Sequence, residues 1–110
     1  KNGINKLPIN IKITFLKNAS HLKRNEICIS ENVEKPLKLR KWSRGDFFYP
    51  TGMKGKKKLS KFFKDQKLSI FDKQNQWILS DSKNEILWIV GLRADRRNLV
   101  KNGKCLKVSI

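Results

Sequence analysis

Apolar and polar residues alternate with a period of two in several short stretches of this chain, a pattern typical of β-strands with one buried face. The alternation is clearest near the start, where polar residues separate Ile9, Ile11, Ile13 and Phe15. The turn-forming residues 81–84 lie between two such stretches and predict a β-hairpin. The predicted strands are residues 9–15, 26–30, 37–42, 76–80, 85–90 and 104–110.

Helical spacing replaces this alternation in the middle of the chain. Residues 58–67 have apolar side chains at spacings of three and four, which predicts a helix with one buried face. Ser69 and Asp72 form a capping box that predicts the start of a brief second helix. We therefore predict an α+β fold, a small and mostly antiparallel sheet system with a short helical pair inserted after the third strand. The apolar side chains of the first helix are Leu59, Phe62 and Phe63.

Residues 43–57, between the third strand and the first helix, are predicted to be a loop because they are rich in turn-forming glycine and proline. We interpret Gly45-Asp46 as a turn in which Asp46 caps backbone N–H groups, in preference to a general base. Several side chains here are too apolar for a fully solvated loop. We expect some to pack on the core and one to offer a flat face to a base. They are Phe47, Phe48, Tyr49 and Met53.

The net charge of the chain is the compositional feature that bears most on its function. The chain has 26 Lys and Arg against 9 Asp and Glu, a net charge of +17, which favours binding to a polyanion. Nucleic acid is favoured over a membrane surface, because there is no long apolar run and no basic amphipathic helix with a wide apolar face. Cys28 and Cys105 are too few and too far apart for a zinc site, so no metal is predicted. A disulfide between them stays open, although reduced thiols in a cytoplasmic protein are favoured.

A run of lysines begins where the first helix is predicted to start. Free N–H groups at a helix start carry about half a positive charge, so stability alone favours acidic residues there. Lysines in that place indicate an external anion, and with the glycine-rich loop they predict a phosphate seat. The alternative is a solvated face that serves solubility. The run consists of Lys54, Lys56, Lys57, Lys58, Lys61 and Lys64, with no acid before Asp65.

No catalytic arrangement is evident. The chain has one histidine, scattered acids and no Ser–His or Cys–His pattern. Gly52-Met53-Lys54-Gly55 matches the GXXG loop of KH domains, but that loop joins two helices and the preceding residues do not favour one. The three tryptophans are interpreted as core residues in preference to base-stacking platforms. A group of arginines, Arg93, Arg96 and Arg97, either forms a second phosphate-binding patch or pairs with Asp95.

Many separate positions between about residues 36 and 100 resemble the C-terminal domain of the tRNA(Ile)-lysidine synthetase family. They are Leu39-Arg40-Lys41-Trp42, Gly45-Asp46, Pro50, Gly52-Met53, Gly55, Lys57-Lys58-Leu59-Ser60, Asp65-Gln66-Lys67, Trp77, Ile86 to Ile89 and Gly91-Leu92-Arg93.

This resemblance implies a fold shared with part of the phenylalanyl-tRNA synthetase β subunit. It also implies a parent enzyme that uses ATP to attach lysine to the wobble cytidine of tRNA(Ile), an ATP-dependent carbon–nitrogen ligase. The family's adenylating machinery belongs to an N-terminal domain, and its pyrophosphatase loop is absent from this sequence. The fragment is therefore expected to be non-catalytic and to bind no cofactor itself, ATP belonging to the parent's N-terminal domain. We expect an excised piece of a longer chain, with residues 1–35 as lead-in strands and residues 36–110 as the family core.

By the same resemblance, the domain grips tRNA(Ile) near the acceptor stem and positions the anticodon for a distant active site. Its partners would be tRNA(Ile) and the N-terminal catalytic domain of the same chain, in the cytoplasm and without a membrane; the oligomeric state stays open. The alternative is a stand-alone basic RNA-binding module without an enzymatic context. The predicted tRNA contacts are Arg40, Lys54, Lys56, Lys57, Lys58, Ser60 and Arg93.

Overall fold

The computed structural model describes residues 11–19 and 25–110. The chain divides into two compact units, Lys1–Val33 with Leu99–Ile110 as the first and Glu34–Asn98 as the second. The second unit is continuous in sequence and contains the lysine run, so it holds the predicted RNA contacts.

The first unit contains a three-stranded antiparallel sheet. Its strands are β1 (Lys12–Leu16), β2 (Glu26–Ile29) and the last strand of the chain, β9 (Cys105–Ser109). They lie in the order β1-β9-β2, so the C-terminal strand is central and pairs with both others. The core of this sheet contains Ile29, Cys105 and Val108, none of which is exposed to solvent.

The face predicted to be buried on the first strand is half exposed instead. Ile13 is 44% exposed and Phe15 is 50% exposed. Both lie on β1, which is an edge strand of the sheet, and the residue paired with Ile13 is the fully buried Val108 of β9. The place of β1 at the edge of the sheet explains why Ile13 and Phe15 are exposed. The alternation of apolar and polar residues does not show whether a strand lies at an edge. The predicted strand residues 9 and 10 lie outside the described residues.

The second unit is built on a four-stranded antiparallel sheet in the order β3-β6-β7-β8. The strands are β3 (Lys38–Arg40), β6 (Ile78–Ser80), β7 (Ile86–Ile89) and β8 (Arg93–Ala94). The predicted hairpin between β6 and β7 is confirmed. The Asp81 carboxylate accepts the N–H groups of Lys83 and Glu85 at 2.9 and 2.8 Å, and Asn84 takes the left-handed conformation that closes the turn.

The predicted loop at residues 43–57 contains a short β-ribbon. β4 (Phe47–Phe48) pairs antiparallel with β5 (Lys57–Lys58), so the expectation of a plain loop is wrong at these positions. Two-residue strands carry no detectable period, which is why the ribbon was not evident from the sequence. The connecting residues 49–56 form the actual loop, with Gly52 and Gly55 at positive φ.

Two short helices follow the ribbon. α1 (Leu59–Asp65) buries Leu59, Phe62 and Phe63, as its apolar spacing predicts. α2 (Ile70–Asn75) begins at Ser69, whose hydroxyl accepts the Asp72 N–H at 3.0 Å and confirms the predicted N-cap.

The core of the second unit lies between α1 and the sheet. Half-buried Trp42 packs against it, its ring meeting the Phe63 ring edge-on at 5.4 Å between centroids. The architecture is the predicted α+β fold with mostly antiparallel sheets and two short helices. The buried core side chains are Phe48, Leu59, Phe62, Phe63, Ile78, Ile86 and Ile89.

Candidate nucleic-acid interface

All lysines of the lysine run except Lys57 are exposed on the ribbon, its loop and α1. The buried face of α1 forces the intervening positions outward, so Ser60, Lys61 and Lys64 are exposed. Lys54 and Lys56 of the loop are exposed as well. With Lys58, also exposed, these residues form what we call the lysine surface: Lys54, Lys56, Lys58, Ser60, Lys61 and Lys64. Four of the predicted tRNA contacts belong to this surface, together with Lys61 and Lys64 of the lysine run.

The ribbon places an aromatic ring beside these lysines. Phe47 pairs directly with Lys58 in the ribbon and is 40% exposed. The Lys56 Nζ lies 4.7 Å from the centroid of the Phe47 ring, within cation–π range. Phe48, on the opposite side of the ribbon, is fully buried. Phe48 therefore packs in the core, as predicted for some of these side chains, and Phe47 keeps an accessible ring. Stacking of a base on one of these rings stays a prediction.

Lys57 differs from its neighbours because it is bonded within the domain. Its ammonium group pairs with the Asp65 carboxylate, and this hydrogen bond is the main cause that lowers the pKa of Asp65. The pair neutralises the acid that directly follows the lysine run in sequence. Contact between Lys57 and RNA stays a prediction, but its charge already has a partner.

One N–H group at the start of α1 is already bonded within the domain. The helix has seven residues, and the N–H of Leu59 donates to the Asp46 carbonyl at 2.9 Å. Lys58 occupies the N-cap position without a side-chain cap bond. At least one N–H group expected to face an anion is therefore used inside the domain, and the phosphate seat stays a prediction.

Arg40 is also bonded within the domain. Its guanidinium forms a bidentate pair with the Asp46 carboxylate, at 2.9 and 3.1 Å, and donates to the carbonyls of Lys41 and Asn84 at 3.2 Å. Asp46 additionally accepts the Ser43 N–H at 2.7 Å, so its predicted turn-capping role is confirmed. Arg40 therefore holds the turn before the ribbon in place, and its contact with RNA stays a prediction.

Arginines after β7 hold the loop at residues 49–56. Arg93 donates to the Thr51 carbonyl and Arg96 donates to the Met53 carbonyl, each at 3.2 Å. The sequence left two interpretations of these arginines, a second phosphate-binding patch or pairing with Asp95. Arg97 pairs with Asp95. Arg93 and Arg96 instead bind loop carbonyls, which fixes the path of the loop that presents Lys54 and Lys56.

Asp95 is the buried centre of this arrangement. It is 1% exposed, and its carboxylate accepts the N–H of Tyr49 at 2.9 Å and that of Arg97 at 2.8 Å. The Arg97 side chain adds hydrogen bonds from Nε at 3.1 Å and from Nη2 at 2.9 Å, which raise the pKa of Arg97 and keep it charged. Arg97 also pairs with Glu85 at 2.8 Å, and its Cζ lies 4.2 Å from the Tyr49 ring centroid. The guanidinium plane is therefore fixed by two carboxylates and a ring.

The tryptophans divide between core and half-buried positions. Trp88 is buried, as predicted. Trp77 is half-buried and carries the Lys41 Nζ 3.7 Å from its ring centroid. The GXXG match at residues 52–55 connects β4 to β5, where a KH loop would connect two helices.

Two other classes of site are absent from residues 11–19 and 25–110. Within these ranges no three His, Cys, Asp or Glu residues are grouped so that they could hold a metal ion. No helix in the same part of the chain has the length and apolar character needed to cross a bilayer.

Comparison with protein families gives a match over the second unit and beyond. The family model described as the TilS substrate C-terminal domain matches residues 37–110. A tRNA(Ile)-lysidine synthase of Parabacteroides distasonis is 44% identical over 92 residues, which cover 84% of this chain and 20% of that protein. The tRNA(Ile)-lysidine synthase of Bacteroides thetaiotaomicron is 41% identical over 68 residues, which cover 62% of this chain and 16% of that protein. The chain thus spans about a fifth or less of the length of these relatives.

A solved structure shares the fold. The crystal structure of a TilS C-terminal domain superposes with a TM-score of 0.77 at 22% sequence identity, covering 90% of this chain and 80% of that one.

Proposed function

This chain belongs to the family of TilS C-terminal domains, and we propose that it is the tRNA-binding part of a tRNA(Ile)-lysidine synthase. The single observation that carries the RNA-binding role is the lysine surface. Its five exposed lysines lie within residues 54–64, a segment without an acid, and the adjacent Asp65 is paired with Lys57. Such a surface attracts the phosphates of a polyanion, and a tRNA substrate fits the activity named for the relatives.

The lysine side chains would bind phosphates and the Ser60 hydroxyl a phosphate or 2′-hydroxyl. The deep major groove of A-form RNA excludes side chains, so a surface of this kind recognises backbone and helix shape. These contacts orient the tRNA more than they specify its sequence. We assign Arg40, Lys57 and Arg93 mainly to holding the turn, the ribbon and the loop, because their charged groups are already bonded inside the domain.

In the parent protein, the domain would hold the acceptor stem of tRNA(Ile) while an N-terminal catalytic domain of the same chain acts at the anticodon. That domain would use ATP to attach lysine to the wobble cytidine, in the cytoplasm. The present domain would contribute position and selection, and no chemical step. Its loss should therefore weaken tRNA binding and discrimination more than the rate of lysine transfer once tRNA is bound.

Fluorescence anisotropy with two RNAs over a salt series tests this proposal. One RNA is an acceptor-stem minihelix of tRNA(Ile), and the other is its anticodon stem-loop. We expect the minihelix to bind more tightly at physiological salt, with a log–log salt slope that corresponds to several phosphates. Equal and salt-sensitive binding to both RNAs would contradict the proposal and favour a stand-alone basic module.

A triple substitution of Lys54, Lys56 and Lys58 by Gln tests the surface itself. We expect the salt slope to fall by about one for each lysine that contacts a phosphate, and the affinity for the minihelix to fall about tenfold or more. Lys57 is left unchanged, because its pairing with Asp65 would confound the result.

A matched control separates this surface from net charge. Substitution by Gln at Lys17, Lys101 and Lys104, which are exposed in the first unit, removes the same number of charges. We expect the control to change the slope much less. Equal losses in both variants would mean that the domain acts as a general polycation.

A further inference from the structure

A cavity of about 230 Å³ opens beside the lysine surface. It lies between the turn that precedes the ribbon and the hairpin that joins β6 to β7. Its volume is below the roughly 300 Å³ at which pockets for drug-sized ligands begin, so it suits a single ring system. The lining includes Asp46, Phe47, Lys83, Asn84, Glu85 and Arg97.

Two residues with flat side-chain groups, Phe47 and Arg97, line this cavity. The Phe47 ring is 40% exposed, and the Arg97 guanidinium has its plane fixed by Asp95, Glu85 and the Tyr49 ring. Aromatic rings and guanidinium planes are the surfaces on which unpaired RNA bases stack. Because Arg97 is held on three sides, little side-chain freedom would be lost when a base stacks on it.

One carboxylate in the lining is available to a ligand. Asp46 is used by Arg40 and by the Ser43 N–H. Glu85 accepts one bond from Arg97, its side chain is 46% exposed, and a carboxylate has further lone pairs that can accept. Carboxylates accept hydrogen bonds from the exocyclic amino groups of bases. Uracil has no such group.

We propose that this cavity binds one unpaired nucleobase that carries an exocyclic amino group. The base lies against Phe47 and Arg97 and donates its amino group to Glu85. The occupant is taken as RNA because of the proposed function, on which this inference rests. The position of Lys56 over the Phe47 ring and the pairing of Lys58 with Phe47 put phosphate-binding groups beside the cavity. The domain therefore binds both a duplex and a single-stranded nucleotide next to it.

Hairpins with one common stem and different 3′ ends test the proposal by fluorescence anisotropy. The ends are blunt, three cytidines, three uridines, or three abasic nucleotides that supply the same phosphates without bases. We expect the cytidine end to bind about tenfold more tightly than the abasic end, and the uridine end to lie between them. Base–aromatic stacking supports a gain of this size. Equal affinities for the cytidine and abasic ends overturn the inference.

Substitutions locate the site. Phe47→Leu should abolish the gain, whereas Phe71→Leu should retain it, because Phe71 is a 72% exposed aromatic residue on α2 outside the cavity. Glu85→Gln should reduce the preference for cytidine over uridine. An unchanged gain in Phe47→Leu overturns the assignment to this cavity.

A measurement on the unaltered domain avoids any dependence on folding of a variant. A hairpin with 2-aminopurine in its 3′ end should lose fluorescence on binding, because the base becomes stacked; an unchanged signal overturns the inference. The blunt hairpin distinguishes a failure of the cavity proposal from a failure of the proposed function. If it binds normally while the overhang adds nothing, the cavity proposal fails and the proposed function stands; if neither hairpin is preferred over the anticodon stem-loop, the proposed function fails.

Discussion

Replacing Asp95 by Asn should destabilise the second unit by about 2–3 kcal/mol. Asn keeps the size of the side chain but removes the charge that accepts from the Tyr49 N–H and from three groups of Arg97. Hydrogen bonds to charged groups contribute about 1.5–3 kcal/mol, and removing one partner of a fully buried ion pair costs about 3–5 kcal/mol. We expect a loss at or below the bottom of the second range, because Arg97 is partly exposed and keeps its pair with Glu85.

Urea unfolding followed by tryptophan fluorescence measures this loss. All three tryptophans lie within Glu34–Asn98, so the signal reports on the unit that contains Asp95. With a slope of about 1.5–2 kcal/mol/M, the midpoint should fall by about 1–2 M urea. Asp72→Asn, which alters an exposed carboxylate in the first turn of α2, is the control and should lower stability by less than about 1 kcal/mol, the contribution of a charge at a helix terminus.

Asp95→Asn should also reduce the gain in affinity from a cytidine overhang, because Asp95 positions Arg97 and accepts the N–H of Tyr49, the first residue of the loop. A midpoint within about 0.3 M of the Asp72→Asn control would refute the assignment of Asp95 as the centre of this arrangement. A large stability loss with an unchanged response to a cytidine overhang would leave Asp95 as a structural residue and remove its link to the cavity.

Three further predictions follow from single residues. Asp65→Asn should raise affinity for the minihelix a few-fold and steepen the salt slope by up to about one, because it frees Lys57; an unchanged slope would show that Lys57 is remote from RNA. Burial and a hydrogen bond with the Cys28 thiol raise the pKa of Cys105 from 9.0 to about 11. The protonated thiol therefore contributes fully to stability below pH 9, and this contribution is lost as the pH rises to about 11. Alkylation by iodoacetamide, read by peptide mapping, should therefore have its pH midpoint near 11 in the folded protein and near 9 in urea, and a folded midpoint near 9 contradicts the burial argument. Phe63→Ala should lower the free energy of unfolding by about 3–5 kcal/mol and the exposed Phe71→Ala by less than about 0.5 kcal/mol in the same urea assay; similar losses would contradict the packing described for α1.

The parts of the fold that could be predicted are those encoded by neighbouring residues. The β6–β7 hairpin depends on a turn whose Asp81 side chain bonds N–H groups two and four residues ahead. The start of α2 depends on Ser69 and the N–H three residues later. The buried face of α1 depends on spacings of three and four. Each signal lies within a few residues, so no knowledge of the tertiary structure was needed.

Elements that depend on distant partners were missed or misjudged. The ribbon pairs Phe47 with Lys58 across a loop of turns, and neither strand is long enough to show a period. The exposure of Ile13 and Phe15 follows from the place of β1 at the edge of a sheet whose central strand comes from the other end of the chain. Alternation identifies an apolar face, but it does not show whether another element covers that face.

Arginines and most lysines of the candidate site differ in their contacts, which composition could not show; Lys57, paired with Asp65, is the exception. Four arginines, at positions 40, 93, 96 and 97, donate to carbonyls or carboxylates inside the second unit. A planar guanidinium with five donors can form several such bonds at once, whereas an ammonium group is a strongly hydrated point charge. The lysines of the lysine surface accordingly remain at the solvent boundary, where their mutual repulsion is screened by water and salt. These four arginines fix the loop and the turns beside it, and the lysines of the lysine surface keep their charge exposed to solvent. A charge of +17 is thus compatible with a folded domain, because four arginines are bonded within the second unit and the lysines of the lysine surface stay hydrated.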